Sequence, residues 1–373
     1  MSENPIFFAP RLLKNSTVIN DFLARWAIYA QELSVVSNKK YEAINMIIRL
    51  PDSNDFVSKS TAPNNLICLP LHISSAGFIR DFIAFWKLMK SNQLSPSIVI
   101  AGDNYFGFLI PYLYRLMSRT NYNIQISIHN SLKPLLRSGS SLKTIFKHVL
   151  LRKVVSLADS IRTVSSENKK YLTETWGLPD VKIVVAPIPL VIPDMDIQMP
   201  DTDSVGFLGR IHPERGLESW VRIIQNYSFE HQTAKIAIAG DGDLRENFLS
   251  NLSRILPESQ IKYFGNLPSS ELDAFWKICS VLLSSAEEES YGMAIREAVL
   301  NGRKVVAKLN AGTIEIQRIF PRAIYLFRNE EEASLKLEKA FEENLTPLEV
   351  HRYRMHQQEE NKHSLKNLAQ SWL

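Results

Sequence analysis

The feature of this sequence that most constrains its fold is the order of short apolar and helix-forming segments in residues 280–307. Ser280–Ser284 and Val305–Ala307 are apolar runs of the length and kind that form buried parallel strands. Between them, Met293–Leu300 has helix-forming composition, and Gly302 follows at the place of a C-terminal cap. Two parallel strands joined by a helix are half of a doubly wound unit, so this segment predicts an open α/β sheet.

The loop before that helix places a carboxylate at the edge of the sheet where ligands bind. Ligands of doubly wound sheets lie outside the carboxyl ends of the strands, and Glu289 falls there. Gly292 allows the backbone to approach a ligand, and the following helix start offers N–H groups to an anion. Glu297 lies about four residues into the helix, roughly 6 Å along its axis. Carboxylates accept hydrogen bonds from hydroxyl groups, so the two acids can contact different parts of one extended ligand without a metal. The alternative is a solvated acidic loop before an ordinary helix.

Length and composition set the broad class of protein. A chain of 373 residues is long enough for two domains, and 45% hydrophobic and 22% charged residues are typical of a soluble globular protein. Cys68 and Cys279 are far apart in sequence and indicate neither a disulfide framework nor a zinc site. The N-terminus lacks the features of a signal peptide and no apolar run reaches the length of a membrane span, so we expect a cytoplasmic protein. Residues 1–200 hold 22 basic and 14 acidic side chains, whereas residues 201–373 hold 21 and 25, which favours two domains with different partners.

Residues 1–190 alternate apolar and amphipathic segments, which favours an open, mostly parallel α/β domain. The predicted strands are Asn45–Leu50, Leu66–Leu69, Ile98–Ala101, Ile124–Ile128, Ser160–Val164 and Lys182–Ala186, and the predicted helices are Thr17–Leu33, Ala76–Met89, Phe106–Met117, Leu142–Leu157 and Glu167–Thr175. Residues 186–204 contain four prolines and predict an interdomain linker. Asp194 and Asp196 lie in this connector, and we interpret them as solvated linker residues rather than metal ligands.

The acidic segment carries a resemblance to a known family. Glu289-Ser290-Tyr291-Gly292, followed by Glu297-Ala298, resembles the E-x7-E motif of the family 4 (group 1) retaining glycosyltransferases, which have the GT-B fold. The resemblance implies that Glu289 contacts the donor sugar and Glu297 the ribose of a nucleotide, with Tyr291 and Gly292 beside the donor.

Further motifs of that family follow in order over residues 204–320. The segment from Gly209-Arg210 to Arg215-Gly216 is similar to the family's diphosphate-binding segment, with Arg215 in place of the usual Lys. Arg210 and Arg215 are therefore expected to hold the donor diphosphate, a task that suits the guanidinium fork. The turns at Gly240 and Gly312 resemble two glycine turns beside the donor.

The first half resembles the family less closely. His129 follows a predicted strand at the place where many members carry a His near the donor hexose, and we include it among the expected catalytic residues. The turn around residues 10–16 departs from the family, because it lacks the usual Gly-Gly pair. There Lys14, Asn15 and Ser16 either contact a ligand or, the interpretation that we favour, begin a capped helix.

Residues 104–158 contain no acidic side chain but eight basic ones interleaved with large apolar residues. Such a surface suits anionic lipid headgroups, and a solvated helix face is the alternative. Nucleic acid is not expected as a partner, because no recognisable binding motif is present.

The α/β patterns and the resemblance together predict two facing Rossmann-like domains of the GT-B type. The expected segments are an acceptor-side domain (1–190), a linker (191–203), a nucleotide-sugar domain (204–345) and a C-terminal helix (346–373), which the resemblance implies packs back on the first domain. The resemblance implies a metal-independent retaining transferase with no cofactor, which moves a hexose from a nucleotide-diphospho-sugar to a glycan or lipid-linked acceptor of envelope polysaccharide synthesis, at the inner face of the membrane. A nucleotide-sugar epimerase and a non-catalytic nucleotide-binding module stay open as alternatives.

Overall fold

The computed structural model describes residues 3–12, 16–49, 65–70, 77–129, 132, 142–194, 200 and 203–373. The chain divides into two compact units: Met1–Ile188 with Lys362–Leu373, and Pro189–Asn361. Each unit is built on a parallel sheet with helices between successive strands, except that the connection from β2 to β3 lies outside the described residues, and the predicted α/β architecture is confirmed. Among the helices of the described residues, none is long and apolar enough to cross a membrane.

The first unit contains a seven-stranded sheet in the order β3-β2-β1-β4-β5-β6-β7. Its elements are β1 (Ile6–Leu12), α1 (Ser16–Val36), β2 (Ile44–Arg49), β3 (Leu66–Pro70), α2 (Phe78–Ser91), β4 (Ile98–Ala101), α3 (Phe106–Ser118), β5 (Asn123–Ile128), α4 (Leu142–Leu157), β6 (Ser160–Thr163), α5 (Ser166–Glu174) and β7 (Ile183–Val185). Successive residues of a strand point to opposite faces, so β1 feeds two cores. Ile6 and Phe8 pack in one core with Phe85, and Phe7 packs in the other with Trp26.

The turn expected at residues 10–16 begins later than predicted. The strand β1 continues to Leu12, which pairs with Arg49 of β2 after a register shift beyond Ala9. The expected contacts of Lys14 and Asn15 lie outside the described residues, and Ser16 is the first residue of α1.

The second unit contains a six-stranded parallel sheet in the order β10-β9-β8-β11-β12-β13. Its elements are β8 (Ser204–Leu208), α6 (Leu217–Glu230), β9 (Lys235–Ala239), α7 (Arg245–Ser253), β10 (Ile261–Gly265), α8 (Leu272–Trp276), β11 (Val281–Ser284), α9 (Met293–Leu300), β12 (Lys304–Lys308), α10 (Ala311–Ile319), β13 (Ile324–Phe327) and α11 (Glu330–Glu342). The segment that constrained the fold prediction forms β11, α9 and β12, and α9 has the predicted bounds.

The last helix, α12 (Pro347–Gln370), contains the boundary between the two units, which falls after Asn361. The residues after it belong to the first unit. Trp372 stacks on Trp26 with ring centroids 6.0 Å apart and an interplanar angle of 7°. Its indole Nε1 donates to Oε1 of the buried Gln125 at 2.8 Å, so the chain end is fixed to β5 by a directed hydrogen bond.

Candidate functional site

The candidate site lies at the point where the strand order of the second sheet reverses. The strand β8 has β9 on one side and β11 on the other, although β9 follows it in sequence and β11 does not. Connections that leave neighbouring strands in this way diverge and open a crevice at the carboxyl ends, which is where ligands of such sheets bind. The loops after β8 and β11 carry Arg210, Arg215 and Glu289, and therefore meet at this crevice.

Arg215 and Glu289 form an ion pair across the crevice. The Nη1 atom of Arg215 donates to Oε2 of Glu289 at 3.1 Å, and the two side chains are 32% and 13% exposed. The hydroxyl of Ser285 donates to the backbone carbonyl oxygens of Arg215 and Gly216, both at 3.0 Å, and so ties the two loops together. A half-buried guanidinium beside a carboxylate provides one group for anionic oxygens and one for hydroxyls at the same place.

Arg210 lies on the same loop as Arg215 but extends into solvent. Its side chain is 64% exposed and pairs with Glu214 at 3.3 Å. An exposed pair of this kind contributes little to stability, so the guanidinium is able to exchange this carboxylate for a more highly charged anion.

The backbone around the ion pair is packed too closely for side chains. Gly312, in the first turn of α10, lies against the backbone carbonyl of Glu289, and a Cβ atom at Gly312 would overlap that oxygen. Gly292 has φ 68° and forms the cap before α9, so its conformation also favours glycine. The predicted Gly209 and Gly240 follow β8 and β9 at the same edge of the sheet. The first turn of α9 contains no acidic side chain to oppose an anion.

Glu297 and Tyr291 occupy different environments. Glu297 is half-buried on α9, on the helix that begins at Gly292. Tyr291 is 5% exposed, and its hydroxyl donates to Oε2 of Glu360 at 3.0 Å. Burial raises the pKa of Tyr291, so this hydroxyl stays protonated. Its hydroxyl is already engaged within the protein, and contact with a ligand through this group stays a prediction.

The sequence reasoning missed the partners of Tyr291. Arg296, Gln357 and Glu360 surround it, and Arg296 and Gln357 are almost fully buried. A basic residue within the otherwise apolar face of a predicted helix was the available signal, since a buried Arg needs an acidic partner.

His129 lies in the first unit, directly after β5. The surrounding protein desolvates its imidazole ring, although part of the residue is accessible to solvent. That desolvation, and next the positive charges of Arg162 and Arg25, lower the pKa of His129 to about 3. The imidazole is therefore neutral at physiological pH and is able to accept or donate a hydrogen bond.

Metal-binding groups lie elsewhere in the second unit. Within the described residues, the one cluster of potential ligands is Glu230, His231 and Glu338. His231 Nε2 pairs with Glu338 Oε1 at 3.3 Å, where α6 ends, at the edge of the sheet opposite to the crevice. Asp194 is exposed and Asp196 lies outside the described residues, so their interpretation as linker residues stays a prediction.

The sequence of the second unit matches a known protein family. Residues 199–362 match the family Glycosyl transferases group 1. An uncharacterized 42.6 kDa protein of the cps region of Klebsiella pneumoniae is 24% identical over 132 residues, which cover 35% of this chain and 33% of that protein. An uncharacterized glycosyltransferase of Methanocaldococcus jannaschii is 24% identical over 127 residues, 34% of this chain and 32% of that protein. The matches thus span about a third of each curated relative.

Solved structures share the fold over almost the whole chain. A sucrose-phosphate synthase from Thermosynechococcus elongatus aligns with a TM-score of 0.70 and 13% identity, over 99% of this chain and 96% of that one. HepE from Anabaena, solved with UDP-glucose, has a TM-score of 0.68 and 11% identity over 98% and 99%. The lipopolysaccharide outer core galactosyltransferase WaaB has a TM-score of 0.65 and 16% identity over 98% of both chains.

At such identities the likeness establishes the fold alone. The chain has the GT-B fold, and its residues 199–362, somewhat less than half of its length, match the glycosyl transferases group 1 family.

Proposed function

We propose that this protein is a retaining glycosyltransferase that uses a nucleotide-diphospho-sugar as donor. The observation that carries the proposal is the Arg215–Glu289 pair at the switch point of the second sheet. It joins a diphosphate-binding cation and a hydroxyl-binding carboxylate within 3.1 Å, as a donor with a sugar next to a diphosphate requires. The family match of this unit and the UDP-glucose in the HepE structure support the same class of ligand.

In this proposal, Arg210 and Arg215 stabilise the charge that develops on the leaving diphosphate. Preorganised cations at the place where charge develops lower the barrier, because they need little rearrangement during the reaction. Glu289 orients the hexose through its hydroxyls, and Glu297 binds the ribose. The leaving phosphate takes the proton of the acceptor hydroxyl on the same face of the sugar, which retains the configuration of the anomeric carbon.

The two guanidiniums supply the positive charge, so we propose that transfer needs no divalent metal. A transfer assay with and without EDTA tests this directly, with Arg215→Ala and Arg254→Ala as the matched pair of variants; Arg254 is a surface cation at the end of α7. We expect wild-type turnover in EDTA and a large loss only in Arg215→Ala. Loss of turnover in EDTA that Mg²⁺ or Mn²⁺ restores would contradict the role given to the cations. Incubation with nucleotide sugar alone, without acceptor, distinguishes an epimerase, which would convert the donor by itself.

We further propose that the first unit takes a glycan or lipid-linked acceptor of envelope polysaccharide synthesis at an anionic membrane surface. The described part of the basic stretch has exposed apolar and basic side chains together. Leu116 and Met117 are 58% and 63% exposed beside Arg119 on α3, and Val149 is 50% exposed near Arg152 and Lys153 on α4. Arg115 does not belong to this surface, because it pairs with Asp159, just beyond the acid-free stretch. The side chains of Lys133, Arg137, Lys143 and Lys147 lie outside the described set.

Liposome flotation tests the membrane contact. Each basic residue near an anionic surface contributes about 1 kcal/mol, and salt screens the attraction. We expect binding that needs anionic lipid, weakens with salt and falls when Arg119, Arg152 and Lys153 are changed to Gln. The control changes three exposed lysines of the second unit to Gln: Lys235, Lys262 and Lys277. Failure of the wild type to bind anionic vesicles at low salt would end the membrane proposal and leave the transferase proposal standing.

A further inference from the structure

A largely buried polar cluster, whose one partly exposed member is Glu360 at 24%, joins the Glu289 loop to the last helix within the second unit. Its members are Tyr291, Arg296, Gln357 and Glu360. Arg296, on α9, is 2% exposed. Its Nη1 donates to Oε2 of Glu360 at 2.9 Å and to Oε1 of Gln357 at 3.1 Å. The charge of this guanidinium is thus neutralised by α12, the helix that carries both partners.

The cluster holds Tyr291 at three separate places. Its backbone carbonyl accepts from Nε of Arg296 at 3.1 Å. Its ring lies under the guanidinium, 4.2 Å from Cζ. Its hydroxyl donates to Glu360 and accepts from Nε2 of Gln357, both at 3.0 Å. A residue fixed at its carbonyl, ring and hydroxyl has little freedom left, and Glu289 lies only two residues before it.

The cluster also reaches the segment through which the chain enters the unit. Gln357 Nε2 donates to Oδ1 of Asn361 at 3.1 Å. The amide of Asn361 then brackets Leu190: Oδ1 accepts from its backbone N–H at 3.1 Å, and Nδ2 donates to its carbonyl at 2.7 Å. One line of hydrogen bonds therefore runs from the Glu289 loop to the first residues of the unit.

A buried ion pair is a poor substitute for apolar packing if stability is all that it provides. Apolar side chains of similar volume stabilise a core as well or better, whereas directed hydrogen bonds fix orientation. The cluster that holds Tyr291 is therefore better explained by a need to fix the geometry of the Glu289 loop than by a need to stabilise the second unit.

We propose that Arg296, Gln357 and Glu360 are positioning residues that hold Tyr291 and through it set the place of Glu289 opposite Arg215. The inference rests on the proposed function, because Glu289 acts there on the donor sugar. The positioning residues touch no substrate, and their effect falls on turnover more than on the binding of the nucleotide.

The test compares Glu360→Gln and Arg296→Lys with a control, Glu359→Gln, the exposed neighbour on the same helix. Gln keeps the shape of Glu360 without its charge, and Lys keeps the charge of Arg296 without its fork. The measurements are kcat, KM, the Kd for a nucleoside diphosphate, and hydrogen exchange of peptides covering residues 285–297. All are made well below the thermal midpoint of each variant.

We expect both variants to lose roughly 10- to 100-fold in kcat, as small misplacements of a reacting group do. The Kd for the nucleoside diphosphate should stay within about twofold of the wild-type value. The hydrogen bonds of the cluster do not involve Arg210 or Arg215, and Glu289 is proposed to act on the sugar rather than on the diphosphate. Exchange in the 285–297 peptides should be faster than in the control.

Two results would overturn the positioning role. The first is wild-type kcat in Glu360→Gln and Arg296→Lys when only the thermal midpoint is lowered, which is the behaviour of a purely structural cluster. The second is unchanged exchange of the Glu289 loop in both variants. That measurement needs no substrate, so it decides the matter even if the wild type binds no nucleotide and the proposed function itself fails.

Discussion

At the scale of single residues, the central feature is the ion pair between Arg215 and Glu289. The Nη1 atom of Arg215 lies 3.1 Å from a carboxylate that is only 13% exposed. A diphosphate that binds Arg215 must share it with Glu289, whose negative charge repels the incoming phosphates. The carboxylate therefore orients the guanidinium, at the cost of some affinity for a diphosphate.

This competition predicts opposite behaviour for the two acids of the motif. Glu289→Gln removes the competing charge, so nucleoside diphosphate should bind as tightly as to wild type or more tightly, while turnover falls at least tenfold. Glu297→Ala removes the proposed ribose contact, which would be worth about 1.5–3 kcal/mol, and should weaken nucleotide binding by roughly 10- to 150-fold. Titration calorimetry and steady-state rates check both. Equal losses of affinity in the two variants would contradict the separate roles, and circular dichroism controls for folding.

A second prediction concerns His129 and acid stability. The folded protein holds the pKa of His129 at about 3, whereas the unfolded chain has the ordinary value of 6.5. Between these values the unfolded state binds more protons, so stability falls as the pH falls from 6.5 towards 3. His129→Asn lacks this proton uptake. Denaturant titrations at pH 7 and pH 4 give the free energy of unfolding of both proteins. We expect this free energy to fall more for the wild type than for His129→Asn when the pH is lowered from 7 to 4. A difference that is the same at both pH values would show that the imidazole is not shifted.

The sequence indicated candidate site residues one by one, but it gave no indication of the contacts between them. Arg215 and Glu289 were assigned from separate motifs, and only the strand order brings them together at the switch point. Arg296 and Glu360 are 64 residues apart in sequence, and no local pattern links them. Arg115 was expected on a basic surface, but it pairs with Asp159, which lies 44 residues later in the sequence, just after α4.

At the scale of elements, the predictions succeeded where a local signal marks both ends. The strand β4 and the helices α4 and α9 have the predicted bounds. The helix α9, for example, lies between Gly292, in the left-handed conformation, and the Asn301-Gly302 stop. The end of β1 differs from the prediction because Pro10 is a turn signal in the sequence. In the structure, β1 continues through Pro10 and pairs with β2 again after a register shift.

Gly312 lies where the first turn of α10 packs against the Glu289 loop, and this contact predicts the effect of a substitution on stability. In an ordinary helix, replacing Gly by Ala stabilises by up to about 1 kcal/mol. At Gly312 the new methyl group would meet the backbone carbonyl of Glu289, which no rotamer change relieves. Gly312→Ala should therefore destabilise the protein by about 1–3 kcal/mol, measured by denaturant unfolding.

The control for this substitution is Gly77→Ala, before α2. A Cβ atom there meets no atom of the described residues within 4 Å, and the backbone is extended with φ −172°. Gly77 is the N-cap of α2, and Ala is a poorer cap than Gly, so we expect a loss of less than about 1 kcal/mol, smaller than that at Gly312. Stabilisation by Gly312→Ala would mean that α10 does not lie against the Glu289 loop as described.

At the scale of the whole molecule, the two units differ in charge as they are proposed to differ in partners. The excess of basic residues lies in the first 200 residues and the excess of acidic ones in the rest, although the formal net charge is only +4. The acidic second half nevertheless presents two guanidiniums at its switch point, Arg210 and Arg215, each paired with a carboxylate. Bulk charge alone does not reveal them. The charge asymmetry of the sequence indicated two domains, and the strand order of the second sheet places the candidate site in the second unit.

The claim that most needs testing is that this crevice binds a nucleoside-diphosphate sugar through Arg215. The direct measurement is a thermal-shift titration of wild type and Arg215→Ala against nucleoside diphosphates and their sugars, in EDTA, with Arg254→Ala as control. A ligand at 100 times its Kd stabilises the folded state by about 2.7 kcal/mol, which gives a clear rise in the midpoint. We predict such a rise for the wild type and the control with one nucleotide base, and a much smaller rise at equal concentration for Arg215→Ala. No shift with any nucleotide, or equal shifts in all three proteins, would contradict the assignment of this site.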